Sequence, residues 1–133
     1  MFVNLALAVA TMIACLAAQA ALLLVPARMR RPDDRRFWPA FRHVALIMAA
    51  LLVGAAAQMG IWAVLYRAIG AIPGWQEALY FSGVTYTSLG YGDVTLSGDD
   101  RLLAPLQAAS GLMMFGIITA VLVGEIEMLR CRP

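Results

Sequence analysis

Three stretches of this sequence run for more than about 20 residues without a charge: Phe2 to Val25, Val44 to Tyr66 and Leu102 to Gly124. As helices rising about 1.5 Å per residue, each would cross a hydrocarbon core of about 30 Å. No other feature constrains the fold as much, because a backbone in lipid has no water to bond and must pair with itself. A fourth uncharged stretch, Ala78 to Gly92, falls short of the minimum of about 17 residues for a span. It is expected to enter the membrane and turn back. Hydrophobic residues make up 62% of the chain and charged ones 14%, more apolar surface than 133 residues could hide in a water-soluble domain. The expected fold class is all-α integral membrane: three transmembrane helices plus a re-entrant helix and loop.

The first stretch is read as a retained helix, not a cleaved signal peptide. Ala18-Gln19-Ala20 has the small-residue pattern of a cleavage site, but no positive charge precedes the apolar run and the run continues through Leu22, Leu23 and Leu24. Orientation follows from the arginines. There are ten and no lysine; Arg28, Arg30, Arg31, Arg35, Arg36 and Arg42 lie between the first two spans, and Arg130 and Arg132 follow the last. Only Arg67 and Arg101 fall elsewhere. Positive loops stay in the cytoplasm, so the first linker and the C-terminus are expected inside and the N-terminus outside. The small net charge of +2 is a by-product of this topology and does not point to nucleic acid. Cys15 and Cys131 fall in different environments and are not expected to pair.

The expected organisation is an N-terminal helix over 1–25, a basic linker over 26–42 and a membrane domain over 43–133. Within the linker, Pro32-Asp33-Asp34 can begin a short helix capped by Asp33, resting Phe37, Trp38 and Phe41 at the headgroup boundary. His43, at the cytoplasmic start of the second span, is expected to be a solvated helix end. Ile72-Pro73-Gly74 is a turn, after which Trp75 starts a helix with Glu77 in its first turn, where a carboxylate meets unpaired N–H groups. That helix must stop before Gly90-Tyr91-Gly92, whose spacing suits an extended backbone with unusual dihedrals. Asp99 or Asp100 can cap the last span, and Pro105 sits near its start, where few hydrogen bonds are lost.

An unpaired carbonyl at membrane depth costs several kcal/mol unless something replaces water. A cation stripped of its hydration shell has the opposite deficit, and stacked carbonyl oxygens relieve both. Thr85-Tyr86-Thr87-Ser88-Leu89-Gly90-Tyr91-Gly92-Asp93 resembles the signature of potassium channels. On either side, Trp75 to Thr87 is similar to the family's pore helix. Arg101 to Gly124 is similar to the inner helix of its simple two-span bacterial members, with Gly111, Phe115, Gly116, Thr119 and Ala120 as matching positions. The resemblance is weakest over Phe2 to Arg42. It implies an outer helix over 43–68, a pore helix over 75–87, a filter over 88–92 and an inner helix over 100–130. It also implies a closed C4 homotetramer around a central pore, in a bacterial inner membrane.

By that resemblance the carbonyls of Ser88, Leu89, Gly90 and Tyr91 form stacked K+ sites completed by Gly92, with the Ser88 hydroxyl closing the innermost one. Thr85 and Thr87 support the filter from the end of the pore helix, and Asp93 stands at the outer mouth. Two positions depart from the family pattern: Ser88 stands for threonine, losing the methyl that stiffens χ1, and Leu89 stands for valine. Either change can loosen the site and admit sodium, so a weakly selective monovalent cation channel is the alternative. Gly111 reads equally as an inner-helix hinge or as a close helix contact, and the two are compatible. Thr119 is expected to face the cavity, Val123 and Ile126 to form a hydrophobic constriction, and Glu127 to join a ring of carboxylates at the inner entrance. No arginine lies inside the first span, which argues against a voltage sensor. No enzyme is expected, since the membrane spans hold no cluster of histidines, cysteines or carboxylates. No cofactor is expected beyond the permeant ion. The expected partners are lipid, K+ and further copies of the chain. A non-conducting membrane scaffold is the rival of another class, but it leaves Ser88 to Asp93 without a purpose.

Overall fold

The computed structural model describes residues 2–28 and 37–130. Four helices occupy them: α1 (Phe2–Arg28), α2 (Phe37–Ala68), α3 (Trp75–Tyr86) and α4 (Leu103–Arg130), with a short 3-10 turn at Gly98–Asp100 before α4. Three helices are long and apolar enough to span a membrane, over Val3–Leu22, Phe41–Ala68 and Gly98–Gly124. Among the described residues there is no strand, in agreement with the all-helical expectation. α3, 12 residues long, overlaps the first part of the short uncharged stretch and is too short to span.

The helix boundaries differ from the expected ones for local reasons. α1 continues past Val25 to Arg28. α2 begins at Phe37, so Trp38 and Phe41 occupy its opening turns in place of a separate interfacial helix, their rings 6.3 Å apart and edge to face. Pro39 permits this because a proline in the first turn forfeits no intrahelical bond. The expected cap at Asp33 lies outside the described residues, as does Cys131. With α2 starting earlier, His43 falls inside the helix and is buried, not a solvated end. α4 starts at Leu103, after the 3-10 turn. The Asp100 carboxylate accepts a hydrogen bond from the Asn4 amide of α1. That bond places the N-terminal end of α1 on the same side as the α3–α4 loop.

The core gathers where α1, α2 and α3 meet the start of α4. Trp62, Tyr66 and Phe81 pack ring on ring, with centroids 6.0 and 5.1 Å apart, and Ala8, Cys15, Ala78, Leu96 and Leu103 close around them. Such tilted and edge-to-face aromatic pairs add roughly 0.5–1.5 kcal/mol beyond their buried area. Small residues on α1 and α3 let the backbones approach the large rings of α2. At the loop end, the Arg67 guanidinium lies 5.3 Å from the Trp75 ring centroid, a cation held on an aromatic face where α2 and α3 leave the apolar layer.

Candidate functional site: the loop after the short helix

Two buried side chains, Ser82 and Gln107, hold α3 between the C-terminal half of α2 and the start of α4. The Gln107 amide of α4 donates to the Ser82 carbonyl (3.1 Å) and hydroxyl (2.6 Å), while its oxygen accepts from the Tyr66 hydroxyl of α2 (2.7 Å). The Ser82 hydroxyl in turn donates to the Met59 carbonyl (2.7 Å). Every polar atom in the set has a partner, as a site without water demands. The short helix is thereby tied to both long helices that flank it.

α3 ends in a Schellman cap. The Ser88 N–H bonds the Thr85 carbonyl (3.0 Å) and the Leu89 N–H bonds the Val84 carbonyl (2.9 Å), the two crossing bonds of that motif. The residue after the cap must take a left-handed backbone, and Ser88 does so with φ 58°. Glycine or asparagine is the usual occupant, so Ser88 carries strain that the two bonds offset. The Thr87 hydroxyl bonds the Gly83 carbonyl (2.8 Å). Gly83, Val84 and Thr85 thus spend their helix-end carbonyls on the loop that follows.

Beyond the cap the backbone alternates. Ser88, Gly90 and Gly92 have φ of 58°, 55° and 78°, while Leu89 and Tyr91 between them do not have positive φ. In a strand, successive peptide groups point to opposite sides; alternation between right- and left-handed basins turns them the same way. The N–H groups of Ser88, Leu89 and Gly90 all point back toward α3. Because a trans peptide is planar with its N–H and C=O opposed, the carbonyls of Thr87, Ser88 and Leu89 point away from it. These three oxygens, of which Ser88 and Leu89 are among the expected filter carbonyls, share one side of an exposed loop. The Leu89 and Tyr91 side chains are also exposed, at 55% and 68%. A cleft of about 630 Å³ lies between this loop and the start of α4, lined by Phe81, Thr85, Ser88, Leu96, Arg101 and Pro105 among others.

At the far end of the loop, the Tyr80 hydroxyl donates to the Asp93 carboxylate at 2.7 Å. This bond holds the carboxyl below its usual range and raises the Tyr80 phenol, and the Val94 N–H adds a second bond to Asp93 (3.0 Å). A depressed carboxyl contributes above its ordinary range, and the contribution is lost as pH falls through the lowered value. A raised phenol keeps its proton beyond the ordinary value of about 10. Tyr80→Phe is therefore expected to return Asp93 toward the ordinary carboxylate range. The midpoint of any acid-induced loss of current should then move to higher pH, as a pH titration of current in both proteins would show. An unmoved midpoint would remove Asp93 from the acid response.

The remaining expected residues lie on α4. Gly111 is buried against the backbone of Tyr86: a Cβ built there would overlap the Tyr86 carbonyl, and α4 runs on as helix through it. Of its two readings, this structure displays the close contact. The Thr119 side chain, expected to face a cavity, is exposed in the single chain, and its hydroxyl bonds the Phe115 carbonyl one turn back (2.9 Å). A lone hydroxyl in an apolar helix has no nearer acceptor, so it bonds its own backbone. Val123, Ile126 and Glu127 are exposed on the same helix. The structure therefore groups Thr85 to Asp93 with Gly111 and leaves the other α4 residues apart from them. The sequence reading missed Tyr80 as the partner of Asp93 and missed the buried polar residues Gln58, Ser82 and Gln107. Their signal was available as polar side chains inside otherwise apolar runs.

A sequence model of a family described as ion channel, of the two-transmembrane pore-loop kind, matches residues 51–127. These cover the C-terminal half of α2, all of α3, the alternating loop and most of α4, more than half of the chain. The chain belongs to this ion channel family. It is an integral membrane protein and an ion channel subunit, and the family match leaves out α1. Comparisons with curated proteins and with solved structures found no match.

Proposed function

We propose that this ion channel subunit conducts potassium, selected by the loop Ser88 to Gly92 within a C4 homotetramer. The observation that carries the reading is the positive φ at Ser88, Gly90 and Gly92 in strict alternation. One chain offers one row of oxygens; four rows around an axis would surround a dehydrated cation. A closed rotational assembly also gives the exposed Leu89 and Tyr91 side chains and the adjoining cleft a partner surface, supplied by a second copy. Within this reading the Ser88 hydroxyl closes the innermost site, Asp93 marks the outer mouth and Glu127 helps gather cations at the inner entrance. K+ is cargo, and no cofactor is invoked. The membrane is the bacterial inner membrane, with the N-terminus and the loop outside and the C-terminus in the cytoplasm.

The test is flux from liposomes holding only this protein, with reversal potentials in mixed sodium and potassium. Potassium preference is expected. Ser88→Thr should preserve or sharpen it, and Ser88→Ala should weaken it by removing one ring of oxygens. Reversal potentials that ignore Ser88 would sink the filter assignment. Equal permeability to both ions would favour the weakly selective channel, and an absence of any flux would favour a scaffold.

A further inference from the structure

We propose that Gln19 and Gln58 are positioning residues through which α1, the helix outside the family match, holds the inner end of the filter in place. This rests on the channel reading and extends it. Gln19, Gln58 and Tyr86 are each 1–2% exposed, though they come from three different helices. The Gln58 amide donates to the Gln19 oxygen at 3.1 Å, and the Gln58 oxygen accepts from the Tyr86 hydroxyl at 3.5 Å, a long bond. Tyr86 is the last residue of α3, its ring lies 5.9 Å from that of Phe115, and its carbonyl lies against Gly111. The next residues are the Thr87 cap and the left-handed Ser88.

Gln58 is therefore held from both ends, by α1 through its nitrogen and by the pore helix through its oxygen. Without Gln19, the Gln58 donor is stranded where no water can reach it. A stranded buried donor costs about 1–3 kcal/mol, and the side chain escapes that cost by turning away from Tyr86. Tyr86 then loses its tether, and the cap that starts the filter loses its fixed origin. Gly54 makes room for the arrangement: a Cβ there would overlap the Gln19 side-chain oxygen, so Gly54→Ala displaces the Gln19 amide without removing any polar group. The Gln19 nitrogen has no hydrogen-bond partner, so only its oxygen is used. A glutamate kept protonated by its apolar surroundings supplies the same acceptor.

The experiment compares single-channel open probability and the rubidium-to-potassium permeability ratio in wild type, Gln19→Leu, Gln58→Leu, the double variant, Gly54→Ala and Gln19→Glu. Each leucine variant and Gly54→Ala should change one of these quantities by at least about threefold, the factor matching a typical membrane hydrogen-bond coupling. The double variant should exceed neither single, and Gln19→Glu should restore wild-type behaviour. If the leucine variants fail to assemble, Gly54→Ala and Gln19→Glu decide alone. Variants indistinguishable from wild type, or a double effect equal to the product of the singles, would overturn the relay. A wild-type protein that passes no current overturns the channel reading itself, so the two failures are distinguishable.

Discussion

Gly90→Ala is expected to abolish conduction while leaving the protein folded and assembled. Gly90 has φ 55°, and a Cβ at this position would meet nothing within 4 Å in the chain. The obstacle is therefore the backbone itself. A left-handed conformation costs an L-residue roughly 1–2 kcal/mol. In the C4 homotetramer we propose, all four copies must adopt it together, so the penalty rises to roughly 4–8 kcal/mol, a factor of about 10³ or more against the conducting arrangement. Ser88 pays the same kind of cost, but the Schellman bonds on either side of it offset the strain. Liposome flux should fall to background while mass measurement in detergent gives the wild-type assembly. Flux near the wild-type level would show that the alternating backbone is not what conducts.

The second large effect is expected at Gly111. Its missing Cβ leaves space filled by the Tyr86 carbonyl oxygen and carbon, both backbone atoms. Neither can yield as a flexible side chain would, so Gly111→Ala must push α4 away from the end of α3. Overpacking of this kind costs typically about 1–3 kcal/mol. Here the displaced atoms belong to the residue that leads into the proposed filter, so lower thermal stability and reduced current should appear together. Gly116→Ala is the matched control on the same helix, since a Cβ there meets nothing within 4 Å. Thermal unfolding in detergent and flux, measured on both variants, decide the matter. If Gly111→Ala behaves like Gly116→Ala, the contact with Tyr86 does not matter to the channel.

The spans and the loop were legible in the chain alone because their signals are local. An uncharged run of sufficient length needs no partner to declare itself, since the bilayer is its partner. Glycines at alternate positions after a helix likewise announce a backbone that only they adopt freely. What the chain alone could not show is which faces meet. Gln19 resembled part of a cleavage pattern, and only the packing of α1 on α2 makes it the acceptor for Gln58. His43 looked solvated until α2 proved to start at Phe37. Gly111 was read as hinge or contact, and only the position of Tyr86 shows the contact. Thr119 was expected to face a cavity on grounds of polarity, and the structure adds that its hydroxyl bonds the Phe115 carbonyl of its own helix. In each case hydropathy sets how deep a residue sits, whereas its hydrogen-bond partner or steric neighbour comes from residues distant in sequence or one turn away. Where water cannot stand in for a missing partner, that pairing depends on how the helices dock.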